Sequence, residues 1–459
     1  MAKRALAFVT TLVAAHVARA ATLEAGSGKT YSSPCQAIAA AAAGDEIDVS
    51  PGTYTDTCEV NVDNLIVKGV LGRPVIDASG TLDPADHKGI FVVNGNGVRL
   101  ENLELTGAHI SVANGDNAAG IRAVGSGLVV SRLYIHDCQN GILATPAAAS
   151  TATLTIEYTE LARNGVGDGC AQGGCTHNVY VTAGAHLVFQ YNWSHDIASD
   201  TPDKGHLLKS RAARSDVLYN RLTGEGGLDS YEIDLPNGGL AIVVGNVVQK
   251  GLQSGNPAML DYGEEGLSNS DNRLFVVGNT FVNDLGHGSF VNVAAGGMLM
   301  AHDNLFVGQG TLSNTGALSA DNLSGVDPLF VDAAAYDYHL KSGSPAIGVA
   351  VAPGSGDAMS LVPAFEYVQP TSSVVRVSQH DVGAFEHDTP TNDAGISLDA
   401  GGEDAGPARD ASAADGSTPT TAHDTGCSCD VNGRGPIGAG VWLLLGSCVL
   451  AVARRRRST

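Results

Sequence analysis

The chain has 459 residues, with 48 acidic residues against 26 lysines and arginines and a formal net charge of −22. An acidic surface of this kind excludes recognition of a nucleic-acid backbone, which requires a basic face, so no nucleic-acid partner is expected. Lys3 and Arg4, the apolar run from Ala5 to Ala15 and the small residues Ala18-Arg-Ala20 predict a signal peptide over 1–20, and hence an exported protein. Gly26-Ser-Gly28-Lys29-Thr30 imitates the end of a phosphate-binding loop, but Leu23 stands where a glycine is required; the segment reads as a polar lead-in. Ser33-Pro34 and the alanines from Ala37 to Ala43 predict one short helix over 31–43, followed by a first strand and turn over 44–54. In an oxidising compartment Cys35 and Cys58, which flank this region, are expected to pair, as are Cys170 and Cys175 around a tight loop. Cys138 is left as a buried small hydrophobe.

From Leu65 to Phe306 one pattern recurs: an apolar strand, an Asn-centred turn, a second strand and a Gly-rich break. Asn192, Asn220, Asn246, Asn279 and Asn304 follow one another at steps of 28, 26, 33 and 25 residues. Short strands at such a period are the signature of a β-solenoid, in which each coil buries its apolar face only by stacking on neighbours. The five amides are expected in one interior column, each bonded to the next. A β-propeller would need repeats near 40 residues, and this chain has no Trp-Asp signature. The strings Asp327-Pro-Leu-Phe-Val-Asp332, Tyr338-His-Leu-Lys341 and Asp381-Val-Gly-Ala-Phe-Glu386 read as final strands and closure. Together with the short helix, Gly44-Asp45 and Pro51-Gly-Thr-Tyr54, they are similar to the pectate-lyase-like class over about residues 22–387. That resemblance implies an all-β, right-handed parallel β-helix with a short N-terminal capping helix. It implies no single activity, because the fold carries many.

Three consecutive coils contribute His177-Asn-Val-Tyr180, Gly205-His206-Leu-Leu-Lys209-Ser-Arg211 and Ser230-Tyr231-Glu232-Ile-Asp234, and the next adds Ala258-Met-Leu-Asp261-Tyr-Gly-Glu264-Glu265. Side chains alternate along a strand. With Val179, Leu208, Ile233 and Leu260 inward, Tyr180, Lys209, Asp234 and Asp261 face outward at intervals of 29, 25 and 27 residues and are expected to form one solvent-facing column. Arg211 and Glu232 share that parity and should flank it; His177, His206 and Tyr231 share the core parity and should lie inside near a corner or turn out at the strand's start. Lys209, Arg211, His206 and Tyr180 are the catalytic candidates. A lyase would take the proton α to a uronate carboxylate with Lys209, Tyr180 or His206, and Arg211 suits bidentate carboxylate contact. His177, Tyr231 and Glu232 are candidates for substrate binding. Asp234 and Asp261, with Glu232, offer oxygens to Ca²⁺, the one cofactor the sequence suggests. A hydrolase reading is weaker, since stacked carboxylates stand too close for the inverting separation. A stack of solvated charges with no ligand is the plain alternative. These strings also resemble those of a recurring group of bacterial exported β-helix proteins. Lys209-Ser-Arg211 is only partly similar to the Lys and Arg pair of β-helix polysaccharide lyases, because Glu232 and Asp234 stand where a second basic residue is expected one coil later.

Residues 388–426 form an acidic, Ala-, Gly- and Thr-rich linker that cannot bury enough apolar surface to order itself. The segment 427–459 holds Cys427 and Cys429, an apolar run over 436–453 and Arg454 to Arg457. Eighteen mostly apolar residues just suffice to span a bilayer, with the arginines inside. This order of parts resembles the C-terminal sorting tail of myxobacterial surface proteins. It implies anchoring at the cell surface or outer envelope, with a membrane and a sorting protease as partners. The sequence thus points to a surface β-helix that acts on or binds an acidic polysaccharide, as a lyase or hydrolase. A non-catalytic adhesion module and a structural spacer are the alternatives.

Overall fold

A computed structural model of the chain describes residues 20–79, 82, 88–165, 176–199, 204–316 and 318–388. The Cys170–Cys175 pair, the signal segment before Ala20, the linker beyond Asp388 and the C-terminal tail lie outside the described residues. Among the described residues, no helix is long and apolar enough to cross a membrane.

Successive coils stack into three parallel sheets of 11, 10 and 11 strands among the described residues, a right-handed β-helix as expected. Wall A holds strands such as His186–Gln190, Arg214–Leu218 and Leu240–Val244. Wall B holds Trp193–His195, Arg221–Thr223 and Val247–Lys250. Wall C holds Val179–Val181, Leu208–Ser210, Ile233–Leu235 and Ala258–Tyr262. The chain runs A, B, C and back to A in each turn. One apolar core runs inside all three walls, and Val179, Leu208, Ile233 and Leu260 belong to it, fully buried.

The corner from A to B is built by the asparagines. Asn192, Asn220, Asn246, Asn279 and Asn304 are fully buried in one column. Each donates its backbone N–H to the Oδ1 of the next, at 2.9, 2.8, 2.9 and 3.0 Å, and Asn322 extends the column at 3.1 Å. Side-chain amides also reach backbone carbonyls of wall A one coil back, as Asn246 Nδ2 does to Val217 O, so the column leaves no amide unpaired. The residue before each of the first five asparagines is left-handed, for example Tyr219 and Asp303. Gly245 holds that place under the Tyr219 ring, where an added Cβ would lie 2.5 Å from a ring carbon. Asn102 falls at this left-handed position, one residue out of register with the column.

The N-terminal cap is shorter than the alanine run suggested. The helix covers Pro34–Ala40 and buries Ala37 and Ile38. It stops because Asp45 accepts the N–H of Ala42 at 2.8 Å as well as that of Ala21 at 2.7 Å, pulling the chain into strand. An earlier strand, Thr22–Ala25, pairs with Glu46–Val49 and opens wall A. Cys35 and Cys58 are disulfide-bonded, and Cys138 is free and buried.

Two of the closing strings, 327–332 and 338–341, hold strands as expected, while 381–386 is not a strand. The described residues from 330 onward form three antiparallel hairpins, Phe330–Asp332 with Asp337–Leu340, Ser355–Gly356 with Met359–Ser360, and Phe365–Val368 with Ser372–Val375. They fold back along the flank of the coils. Phe330, Tyr338, Leu340 and Phe385 pack on Val247, Val282 and Leu305 of wall B. Leu361 and Phe365 pack on Tyr219, Ile242 and Phe275 at wall A and its corner. Apolar outer residues on these two walls required a cover, and both of these clusters draw on walls A and B alone.

Candidate active site on wall C

The expected column exists in register. Tyr180 pairs with Lys209, Lys209 with Asp234, and Asp234 with Asp261, each on the adjacent rung; Asn292 follows Asp261. Its environment differs from expectation. Lys209, Asp234 and Asp261 are buried, and only Tyr180 and Arg211 are half-exposed. The cause is the segment 263–272, which leaves the strand Ala258–Tyr262 and arches back over earlier coils. Glu265 Oε1 lies 3.1 Å from Lys209 Nζ, 56 residues away, and accepts from Arg211 Nη2 at 2.7 Å, while its Oε2 lies 2.6 Å from Arg211 Nη1. Glu264 accepts from the Tyr231 hydroxyl at 2.6 Å. Asn269 ties the far end of the arch to Ala212 O at 3.3 Å and Gly238 O at 3.2 Å.

Arg211 is fixed independently of Glu265. Its Nε donates to Tyr180 Oη at 3.0 Å and its Nη1 to Asn237 Oδ1 at 2.6 Å. Lys209 Nζ also lies 2.7 Å from Asp234 Oδ2. Burial works to lower the Lys209 pKa, but Asp234 and Glu265 outweigh it and hold the ammonium above its ordinary value. Glu265 is held down at about 2 chiefly by its bonds to Arg211.

The two aspartates behave in the opposite way. Burial pushes Asp234 up to about 7, with Lys209 offsetting only part of it, and Asp261 up to about 6 against the bond from Asn292. Asn292 Nδ2 donates to Asp261 Oδ2 at 2.5 Å, yet Oδ1 of each aspartate is buried with no hydrogen-bond partner among the described residues. Two such oxygens on neighbouring rungs suit a shared proton or a cation.

His177, His206 and Tyr231 stack at the mouths of their strands, with ring centroids 4.7 and 5.1 Å apart. All three are buried. Here the rings work as a ladder: His206 N–H donates to His177 Nδ1 at 3.0 Å and Tyr231 N–H to His206 Nδ1 at 3.1 Å. With Nδ1 accepting, each neutral ring carries its proton on Nε2, and His206 Nε2 lies 3.4 Å from Asp234 Oδ2. Burial, and then the neighbouring Lys209 and Arg211 charges, with His177 added in the case of His206, drives both imidazoles well below their ordinary pKa. His206 therefore reaches the column as expected, but with a donor and not a free lone pair.

Glu232 does not flank the column. It is fully buried at the corner with wall B, 3.0 Å from the equally buried Lys250. Lys250 also lies 3.8 Å from Asp229, donates to Ser254 Oγ at 3.0 Å and to the Ser230 carbonyl. Parity alone misplaced Glu232, because it precedes the strand Ile233–Leu235, where the chain is still turning. Glu264, Glu265, Asn237 and Asn292 were given no role from sequence. One signal was available: the longest step of the asparagine column, 33 residues, falls between Asn246 and Asn279, and the Gly263-Glu-Glu-Gly266 string lies inside it.

No protein-family model matches the chain, and no curated protein matches it at a significant level. Among solved structures, the pectate lyase Pel9A superposes with a TM-score of 0.51 at 14% identity, covering 81% of this chain and 97% of that one. A rhamnogalacturonan lyase aligns at 0.45 with 13% identity, over 68% of this chain and 90% of its own. A pectin methylesterase from Aspergillus niger aligns at 0.33 with 13% identity, over 68% and 93%. At these identities the likeness is one of fold alone.

Proposed function

We propose that this is an exported, surface-anchored β-helix protein that acts on an acidic polysaccharide along wall C. The observation that carries the reading is the pairing of a built carboxylate receptor with an acid–base pair. Arg211 and Lys209 hold a carboxylate, that of Glu265, directly beside Asp234 and Asp261, whose carboxyls are raised to about 7 and 6. In this reading Arg211 and Lys209 receive a uronate carboxylate. Asp234 and Asp261 then transfer protons near neutral pH, where groups poised close to the working pH are most effective. Tyr180 and Asn237 orient Arg211, and His206 steadies Asp234 with its Nε2–H. Lys209 stays charged between Asp234 and Glu265, which makes it a binder of anions and not a base.

Two unpartnered aspartate oxygens supply only part of what Ca²⁺ takes, and among the described residues the group of three ligands brought within reach of one ion is His195, Asp196 and Glu225, away from this column, so an ion at Asp234 and Asp261 would have to draw further oxygens from a bound ligand. Bound there, the ion would neutralise the carboxylate pair and polarise a sugar carboxylate. Export is supported by the N-terminal segment and by the Cys35–Cys58 disulfide, which suits an oxidising compartment. Anchoring by the Arg-ended tail, and its processing by a sorting protease, rest on the sequence of 427–459.

Turnover of an acidic-polysaccharide panel tests this reading, scored by new reducing ends and by absorbance of unsaturated uronates. Product formation abolished by Asp234→Asn supports it. Binding without turnover favours the second reading, a non-catalytic binding module, for which the burial of the column beneath the arch speaks.

A further inference from the structure

We propose that Glu265 is a built-in occupant of the site's carboxylate subsite, and that the segment 263–269 is a lid which a ligand carboxylate displaces. The inference rests on the acidic-polysaccharide reading and adds to it how that site is opened.

Four observations lead there. The Glu265 carboxylate meets Arg211 side-on, with Oε1 2.7 Å from Nη2 and Oε2 2.6 Å from Nη1, and takes Lys209 as well. This is the two-point geometry in which arginine receives any free carboxylate. Next, the receptor survives without its occupant: Tyr180 and Asn237 keep Arg211 in place, and Asp234 keeps Lys209. Third, Glu265 is the accessible member, its side chain 42% exposed against 10% for Lys209 and 21% for Arg211. Glycines in the left-handed region bound the acidic pair, Gly263 at φ +88° and Gly266 at φ +103°. Between them the backbone tie is Glu265 N–H to Pro236 O at 3.0 Å, while Gly263 N–H to Leu235 O and Asn269 hold the two ends.

Closure is a balance. With the lid down, the exposed Glu264 and Glu265 join the buried Asp234 and Asp261 around Lys209 and Arg211, and the Arg211 contact that holds Glu265 down at about 2 favours the closed position. A ligand carboxylate offers the same contact, so one carboxylate can be exchanged for another at this receptor without new unpaired charge. A ligand carboxylate that replaces Glu265 keeps the two-point contact and sends the glutamate to water. Binding to the intact protein is then a competition, and apparent affinity is reduced by the fraction of time the lid is closed.

Calorimetry on the full chain with tri-galacturonate, tri-glucuronate and tri-mannuronate tests this, read beside hydrogen exchange over 263–269. Glu265→Gln should bind the preferred trisaccharide about tenfold more tightly, and ligand should speed exchange in the lid of the unaltered protein. If the unaltered protein binds and Glu265→Gln binds equally or more weakly, the lid is overturned while the acidic-ligand reading stands. If neither protein binds any of the three, the reading falls and the lid with it. Should Glu265→Gln fail to fold, Gly266→Ala serves instead. An added Cβ there meets no atom within 4 Å, but φ +103° disfavours an L side chain, so the change strains the closed turn itself. It should tighten binding severalfold, and unchanged affinity would overturn the lid.

Discussion

The backbone N–H of Tyr231 donates to His206 Nδ1 across 3.1 Å, and this one bond decides what His206 can do. One lone pair is spent, the proton sits on Nε2, and the ring faces Asp234 as a donor. The same ladder is continued one coil earlier by a different residue, since Asn140 Oδ1 accepts the N–H of His177 at 3.1 Å. Asparagine is therefore a fit replacement. His206→Asn should cost under about 1 kcal/mol in urea denaturation, whereas His206→Ala, which strands a buried N–H and empties a stack, should cost about 2–4 kcal/mol. Equal losses in the two variants would show that the ladder bond does not matter.

Asp261 makes stability depend on pH in a direction opposite to ordinary salt-bridged aspartates. Burial raises its folded-state pKa to about 6, above the value of about 3.9 expected in the unfolded chain. The native state thus holds the proton more tightly. The stability this contributes is fully present below about pH 4 and is lost as the pH rises through about 6. Asp234 behaves likewise, through about 7. Asp261→Asn removes the titration and can still accept from Asn292. Its unfolding free energy from urea denaturation should match that of the unaltered protein at pH 4 and exceed it at pH 8 by about 3 kcal/mol. A difference that stays flat across this range would contradict the buried-carboxyl picture.

How much of this was legible in the residues follows from what repeats. The asparagine column could be read because an amide ladder demands the same residue at the same place in every coil, and the structure keeps all five and adds Asn322. The outward column Tyr180–Lys209–Asp234–Asp261 was legible for the same reason, through strand parity. Glu265 was not, because its contact with Lys209 depends on the path of an inserted arch and spans two coils. Glu232 was misplaced because parity holds only inside a strand. The closing strings read as strands, but their apolar residues have no period to reveal the antiparallel pairing or which wall they cover.

The column itself predicts a gradient of sensitivity. Asn246 gives its Nδ2 to Val217 O and to Asn279 Oδ1, and its Oδ1 accepts from Asn220 N–H, all in a fully buried setting. Asn246→Ala leaves several groups unpaired at once and should cost about 3–5 kcal/mol, or abolish folding. Asn322, at the end of the column and partly exposed, should cost about 1 kcal/mol when changed to alanine. Thermal melts of the two variants side by side check this, and comparable losses would argue against a cooperative ladder.

Calcium gives a separate handle on the aspartate pair. If the ion occupies Asp234 and Asp261, added Ca²⁺ should raise the melting temperature, more at pH 8 than at pH 5, since ligation requires both carboxylates to be charged. Asp234→Asn should remove that gain while leaving the apo melting temperature equal or higher. A gain that persists undiminished in Asp234→Asn would place the ion elsewhere.

Tyr180 and Arg211 separate orientation from charge. Arg211 carries the positive charge of the receptor, and Tyr180 Oη receives its Nε at 3.0 Å. Tyr180→Phe removes that acceptor while Asn237 still holds Nη1 at 2.6 Å. Uronate binding should then weaken by about three- to tenfold, the cost of one hydrogen bond to a charged group, with its salt dependence intact. Arg211→Lys keeps the charge but loses the two-point geometry and both orienting bonds, and should weaken binding further at the same salt slope. Arg211→Gln should lose both the affinity and part of the salt dependence, because a charge has gone. The comparison is made by titrating one uronate trisaccharide against the three variants at low and high salt. If Tyr180→Phe and Arg211→Gln lower affinity by the same factor with the same salt slope, Tyr180 is more than an orienting group and meets the ligand itself.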